Sequence, residues 1–219
     1  MASKIILLNG PKACGKNVAV DRIKESINVV DRRCKDHLFK ATSVLFKMTL
    51  EEFFVHYECR ETKETPKKEF EISVPEFNRL APIIKVPLLG VVEATFGPLK
   101  IQLSVREALI YVSEIVCKPA FGRDYFGTAR AAAVDVSSGN ECAIDDSCGF
   151  DDEIPPTIER LGVDNVMLIR ILGRGNFDGD SRNYIQDGVV SNTVDVYNTG
   201  TEEDFLDIVN ELASDFYKQ

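Results

Sequence analysis

Gly10-Pro11-Lys12-Ala13-Cys14-Gly15-Lys16-Asn17 sets two glycines and a lysine in the spacing G-x-x-x-x-G-K. Each part of that spacing has a task. Glycines let backbone N–H groups turn inward around phosphate oxygens, and a helix that follows offers its positive N-terminus. The lysine reaches the outer phosphates, and a Ser or Thr in the next position normally holds magnesium. Here that position is Asn17. Its carboxamide oxygen is a weaker magnesium ligand than a carboxylate, but it can act directly or through water. The spacing predicts a nucleotide phosphate cradle formed by Gly10, Lys12, Ala13, Cys14, Gly15, Lys16, Asn17 and Val18. Lys16 is its catalytic cation, whereas Lys12 either adds to the field or is simply solvated.

Other charged residues stand where chemistry could use them. Arg106 follows Ser104 in the capping-box spacing S-x-x-E, so it falls in a first helical turn. The helix macrodipole disfavours a cation there, and a bidentate contact with a substrate phosphate would offset that cost. A surface pair with a carboxylate is the alternative. Asp145 and Asp146 end a short apolar run, the place where open α/β sheets bind ligands; they could equally be turn residues. Arg174 and Arg182 flank the stretch GRGNFDGDSRN. That composition suits a lid over residues 173–190 that brings arginines onto phosphates, and it suits any surface loop as well. Arg123 and Arg130 are further candidates for contacts with an acceptor. His37 and His56 have no partner pattern and read as structural.

The elements that must position these groups follow from hydrophobic periodicity. Lys4–Asn9 (KIILLN) is a continuous apolar run, as expected of a central parallel strand, and it leads into the glycine turn. A helix follows with Val20, Ile23 and Ile27 at helical spacing. Residues 36–41 read as a second short strand, and 43–57 as a helix with Val44, Met48 and Val55 on its apolar side. Residues 58–71 read as a solvated helix end plus loop. The proline-rich stretch 74–100 reads as an irregular excursion or a small subdomain with edge strands. Beyond it come a helix from Ser104, another over 124–136, and a strand at 142–144. Pro156 to Gly162 gives a short helix, Val166–Leu172 a buried strand and 193–197 a weaker one. Thr201 caps a last helix that carries Phe205, Ile208, Val209, Leu212 and Phe216. Strands alternating with helices imply an α/β fold: a parallel sheet flanked by helices, with an irregular insertion around 58–100. The chain is expected to form a single domain over 1–219.

Lys plus Arg total 26 against 35 Asp plus Glu, a formal net charge of -9, which argues against nucleic acid as a partner. Six cysteines lack a C-x-x-C pair, and only two histidines are present, so a zinc site is not expected. No signal-peptide pattern and no membrane-length apolar run occur. The expectation is a soluble cytoplasmic protein acting on small molecules, with residues 74–100 offering a homodimer contact.

Taken together, these segments resemble the bacteriophage-type deoxynucleoside monophosphate kinases, within the wider P-loop NTPase group of nucleoside monophosphate kinases. In that family the loop often ends G-K-D and continues with threonine, where this chain has Asn17 and Val18. Phe39-Lys40-Ala41 resembles the family's "F-A" strand end. Ser104-Val105-Arg106-Glu107-Ala108-Leu109, then Gly122-Arg123-Asp124-Tyr125-Phe126, is similar to "R-x-x-L…G-x-D-x-F/W". Ala143-Ile144-Asp145-Asp146 with Glu153 resembles "I-S-D-V-R-F-x-N-E", with Ser147-Cys148-Gly149 in place of the arginine. Ile169-Arg170-Ile171 with Arg174, and Asn198-Thr199-Gly200-Thr201, resemble its closing "V-R-P" and "N-x-G-S/T" elements.

The resemblance implies transfer of the γ-phosphoryl of ATP, with Mg2+, to a (deoxy)nucleoside monophosphate. It implies catalytic roles for Lys16, Arg106, Asp146 and Arg174, with magnesium near Asn17 and Asp146. Acceptor contacts fall to Arg106, Arg123, Arg130, Asp145 and Arg182, and the adenine border to Asn198 and Thr199. Two rival expectations are a kinase of another small phosphorylated metabolite and a nucleotide-binding module without turnover.

Overall fold

The run Lys4–Asn9 forms β1, and all six of its residues are buried. The structure is a computed structural model and describes residues 3–58, 63–86, 99–137, 139, 141–178 and 180–219. Cys59 and residues 87–98 of the proline-rich stretch lie outside the described residues. The chain divides into two compact units, Met1–Lys35 with Arg123–Gln219, and Asp36–Gly122.

The first unit is built on a five-stranded sheet in the order β2-β5-β1-β6-β7, with β2 at Val30–Asp31, β5 at Cys142–Asp145, β6 at Val166–Leu172 and β7 at Asn192–Tyr197. Every pairing is parallel. Successive side chains on a strand point to opposite faces, so a strand covered on both sides must be apolar throughout. Accordingly Ile6, Leu8, Ile144 and Ile169 pack with Val20 and Ile23 of α1 (Lys16–Ser26) and with Phe205, Val209 and Phe216 of the C-terminal helix Glu202–Lys218. Ile5, Leu7, Ala143 and Leu168 face Ile154, Leu161, Ile185 and Val190. Each fully buried Ile or Leu contributes about 2 kcal/mol, an upper figure for a partly compact unfolded chain.

Residues 36–41, expected as a strand, are helical instead: α2 spans Cys34–Leu45. The second strand is the shorter Val30–Asp31, which pairs with Ala143 and Ile144. Just beyond it, the Cys34 and Lys35 N–H groups find acceptors in Asp145 and Ser147, at 3.4 and 3.3 Å, and the helix starts there. The single helix expected over 43–57 is broken at Lys47, whose φ is 57°. It resumes as α3 (Leu50–Glu58), where Thr49 and Glu52 exchange the two bonds of a capping box. Val44 and Val55, expected on an apolar side, are 77% and 71% exposed, whereas Phe39 and Phe53 are buried.

The second unit holds an antiparallel pair, β3 (Lys67–Ser73) and β4 (Lys100–Leu103). Part of the loop expected over 58–71 is therefore strand. Ser73 caps α4 (Val74–Ile84) through a capping box with Glu76, and Pro75 sits in its first turn. Ser104 caps α5 (Val105–Ile110) in the same way with Glu107. That helix continues through a π-helical stretch, Tyr111–Cys117, into α6 (Lys118–Phe121). Phe39, Phe53, Phe54 and Tyr57 form an aromatic cluster with ring centroids 4.6 to 6.3 Å apart.

Back in the first unit, α7 (Tyr125–Ala133) and α8 (Pro155–Leu161) occupy the positions expected of them, and Gly162 at φ 87° ends α8. Thr201 caps α9 (Glu202–Lys218), and three acidic residues in its first turn complement the macrodipole. Ile208, expected on the apolar stripe of α9, is 47% exposed. Among the described residues no helix is long and apolar enough to cross a membrane.

Candidate functional site

The chain leaves the carboxyl end of β1 at Asn9 and enters α1 at Lys16, so residues 10–15 must turn within a short span. Ala13 takes φ 62° and Gly15 φ 106°, left-handed conformations that fold the loop back on itself. Gly15 has a second reason for its identity: a Cβ there would lie 2.9 Å from Asn198 Nδ2 and 3.0 Å from the Phe205 ring. Helix α1 has no side-chain cap and no acidic residue in its first turn. Its first backbone bond runs from Ala19 N–H to Gly15 O, so the N–H groups of Lys16, Asn17 and Val18 are the helix's open donors.

The Lys16 ammonium bends back over this loop. It donates to Gly10 O at 2.6 Å and Pro11 O at 2.7 Å, and lies 3.5 Å from Cys14 Sγ. Burial pulls its pKa down from the ordinary lysine value; the charge of Arg182 works in the same direction and Cys14 opposes it. Asn17 and Val18 are exposed at the start of α1. Lys12 and Arg174 are exposed too, and neither has an ion pair among the described residues. A lone antiparallel bridge between Lys12 and Asn176 brings the segment after β6 beside the loop. From the far side Asn198 Nδ2 donates to Cys14 O at 2.9 Å, so Asn198 and the neighbouring Thr199 border the cradle. The structure thus gathers Lys12, Lys16, Arg174 and Asn198 around one loop.

Asn9 ties that loop to its surroundings. Its side chain is fully buried, donates to Cys148 O and Asn183 O, both at 3.1 Å, and accepts from Ile185 N at 2.9 Å. The span 173–190, expected as a lid, is therefore tied to β1 at Asn183 and Ile185. Ile185 and Val190 are in the core, and Tyr184 donates to Ile171 O at 3.1 Å. Arg182, within this span, pairs with Asp180 at 2.6 Å.

The end of β5 is different in kind. Asp145 and Arg130 are both fully buried and meet at 2.9 Å. Arg130 also donates to Glu153 O at 2.6 Å and to Thr157 Oγ1 at 2.9 Å. Asp145 accepts from Ser147 N at 2.7 Å, from the Ser147 hydroxyl and from Cys34 N. Burial alone would raise the Asp145 pKa. The Arg130 charge and the Ser147 bonds reverse this and hold it below the usual carboxylate value. Through these bonds the pair joins β5, α7, α8 and Cys34. Neighbouring Asp146 is 7% exposed and pairs with Lys35 at 2.8 Å, with Arg33 Nε at 4.0 Å.

Arg123 is paired with Asp152 at 2.6 Å on an exposed surface. Arg106 belongs to the second unit, where Glu64 holds its Nε at 2.9 Å and a terminal nitrogen at 2.8 Å. That is the surface-pair alternative in resting form. The sequence reading passes over Asn9, Arg33 and Lys35. Their signals are a polar residue closing an apolar strand and the charged run Asp31-Arg32-Arg33 ahead of Lys35. No protein-family model matches the chain, and no curated protein does.

Proposed function

We propose that this chain is a P-loop kinase that transfers the γ-phosphoryl of Mg-ATP to a (deoxy)nucleoside monophosphate, giving the diphosphate and ADP. The observation that carries the reading is the Lys16 ammonium, half-buried on the carbonyls of a glycine loop that opens onto an uncapped helix N-terminus. An incoming phosphate exchanges those neutral carbonyls for charged oxygens, which strengthens each bond. Lys12 and Arg174 lie close enough to add charge on the same side, and Asn198 and Thr199 border the nucleotide's other end. The acceptor phosphate is already an anionic nucleophile, so the task is to bring two anions together among cations. Lys35 and Arg33 are the cations suited to the acceptor, at the end of β5 next to β1.

Magnesium fits the residues present. Asp146 Oδ1 is buried and makes no aligned hydrogen bond, although the Lys35 ammonium lies 2.8 Å away, so it has the character of a cation ligand. Asn17 offers a second oxygen from the first turn of α1. Among the described residues no cluster of three His, Cys, Asp or Glu side chains forms a cage. A magnesium ion held chiefly by phosphates, with one or two protein oxygens and water, needs none. When bound it neutralises charge on the phosphates.

A coupled assay of ADP release with the common ribo- and deoxynucleoside monophosphates tests the reading. Turnover with one or more of them, abolished in Lys16→Ala, is expected. Turnover only with other phosphorylated metabolites would move the chain to a different kinase class. The pairing of Asp145 and Asp146 with cations favours one second reading, a nucleotide-binding module without turnover. ATP binding with no ADP release across all acceptors would establish it.

A further inference from the structure

Gly149 follows the end of β5 and is buried, and its carbonyl accepts from Asn183 N at 3.0 Å. A Cβ at this position would lie 2.6 Å from Arg182 Cβ, 2.8 Å from Cγ and 2.9 Å from Cδ. The Arg182 Cβ is fixed by the backbone and cannot swing aside. The arginine stem therefore lies flat against the Gly149 backbone, in space that any other residue would fill. Residues on both sides of this contact are anchored by one side chain: Asn9, immediately before the phosphate loop, bonds Cys148 O and Asn183 O. Gly149, Arg182 and Gly10 are thus each one residue from a group on Asn9 or bonded to it. The charge of Arg182 is felt at Lys16 across the same gap.

We infer that Gly149 is a positioning residue, whose missing side chain seats Arg182 beside the phosphate loop as a second fixed cation for the nucleotide's phosphates. The inference rests on the phosphate-loop reading and deepens it. Asp180 bonds Nε at 3.0 Å and a terminal nitrogen at 2.6 Å, which fixes the plane of the guanidinium. A fork with five donors can serve a carboxylate and a phosphate together.

The test is ATP titration by calorimetry on the full chain, with thermal midpoints measured alongside. Gly149→Ala and Arg182→Gly are each expected to weaken ATP by about tenfold to a hundredfold, the range of one charged hydrogen-bonding group. The double variant should bind no more weakly than either single, because both remove the same guanidinium. It should also recover the thermal midpoint lost in Gly149→Ala, since no Arg182 side chain remains to clash. Stability restored without binding is an outcome that a purely structural glycine does not produce. Wild-type affinity in Gly149→Ala, or losses that multiply in the double variant, would overturn the positioning role alone. No ATP binding by the wild-type chain would overturn the phosphate-loop reading and this inference with it.

Discussion

The ends of β1 and β5 are neighbours in one sheet, yet they treat charge in opposite ways. At β1 three cations lean on neutral carbonyls or on solvent: Lys16 bonds Gly10 O and Pro11 O, while Lys12 and Arg174 are exposed. At β5 each cation has a carboxylate, Arg130 with Asp145 and Lys35 with Asp146. A buried charge costs several kcal/mol unless it is paired, so the end of β5 is stable as it stands. On the proposed reading, the end of β1 keeps positive charge that an anionic ligand would complete.

The sharpest way to break this contrast is to remove a charge from the sealed end. Asp145→Asn should destabilise the fold by about 3–5 kcal/mol, since it strands Arg130 in the core; urea denaturation reads this directly. The pH dependence follows from the same pair. The folded-state pKa of Asp145 is depressed, so its contribution is complete above the unfolded carboxylate value of about 4. It is lost as pH falls through the lower folded value. Unfolding curves taken from pH 7 downward should lose that part of their acid slope in Asp145→Asn.

At the open end the effect should move from stability to binding. Lys16→Ala should weaken ATP by about a hundredfold while the thermal midpoint barely moves, because its partners are neutral loop carbonyls and no carboxylate is left unpaired. A similar midpoint loss in both variants would erase the distinction between the two strand ends. A smaller effect separates the two phosphates. Arg174→Ala should raise the KM for ATP, and Lys35→Ala the KM for the acceptor, each about tenfold and each with little change in the other. Smallest of all, Arg123→Ala should leave stability unchanged within about 0.5 kcal/mol, because the pair with Asp152 is solvated.

The open end was largely legible in the sequence, because its parts are local. Glycine spacing, a lysine and a buried strand stand in one run of residues, and Ser104 and Thr201 announce their helices within one turn. The sealed end was not. Asp145 meets Arg130 only after the chain has made a helix, a loop and a strand, and sequence spacing carries no trace of that meeting. Arg130 therefore reads in sequence as one more candidate for an acceptor contact. The strand expected at 36–41 failed for a related reason: a short apolar run there is consistent with either structure, and the deciding contacts come from Asp145 and Ser147. The break before α3 was in reach, since Thr49 and Glu52 have the same T-x-x-E spacing that was read correctly at Ser104.

The central strand β1 is made well before the strands that flank it. Its partners begin at Cys142 and Val166, so Lys4–Asn9 emerges long before either exists. The second unit, Asp36–Gly122, is continuous and can close on itself in the interval. Contacts this distant in sequence slow folding and leave apolar segments exposed meanwhile. The strand that leads into the glycine loop is thus also an apolar stretch that waits long for its partners. A truncated chain ending before residue 142 should engage chaperones or aggregate through it.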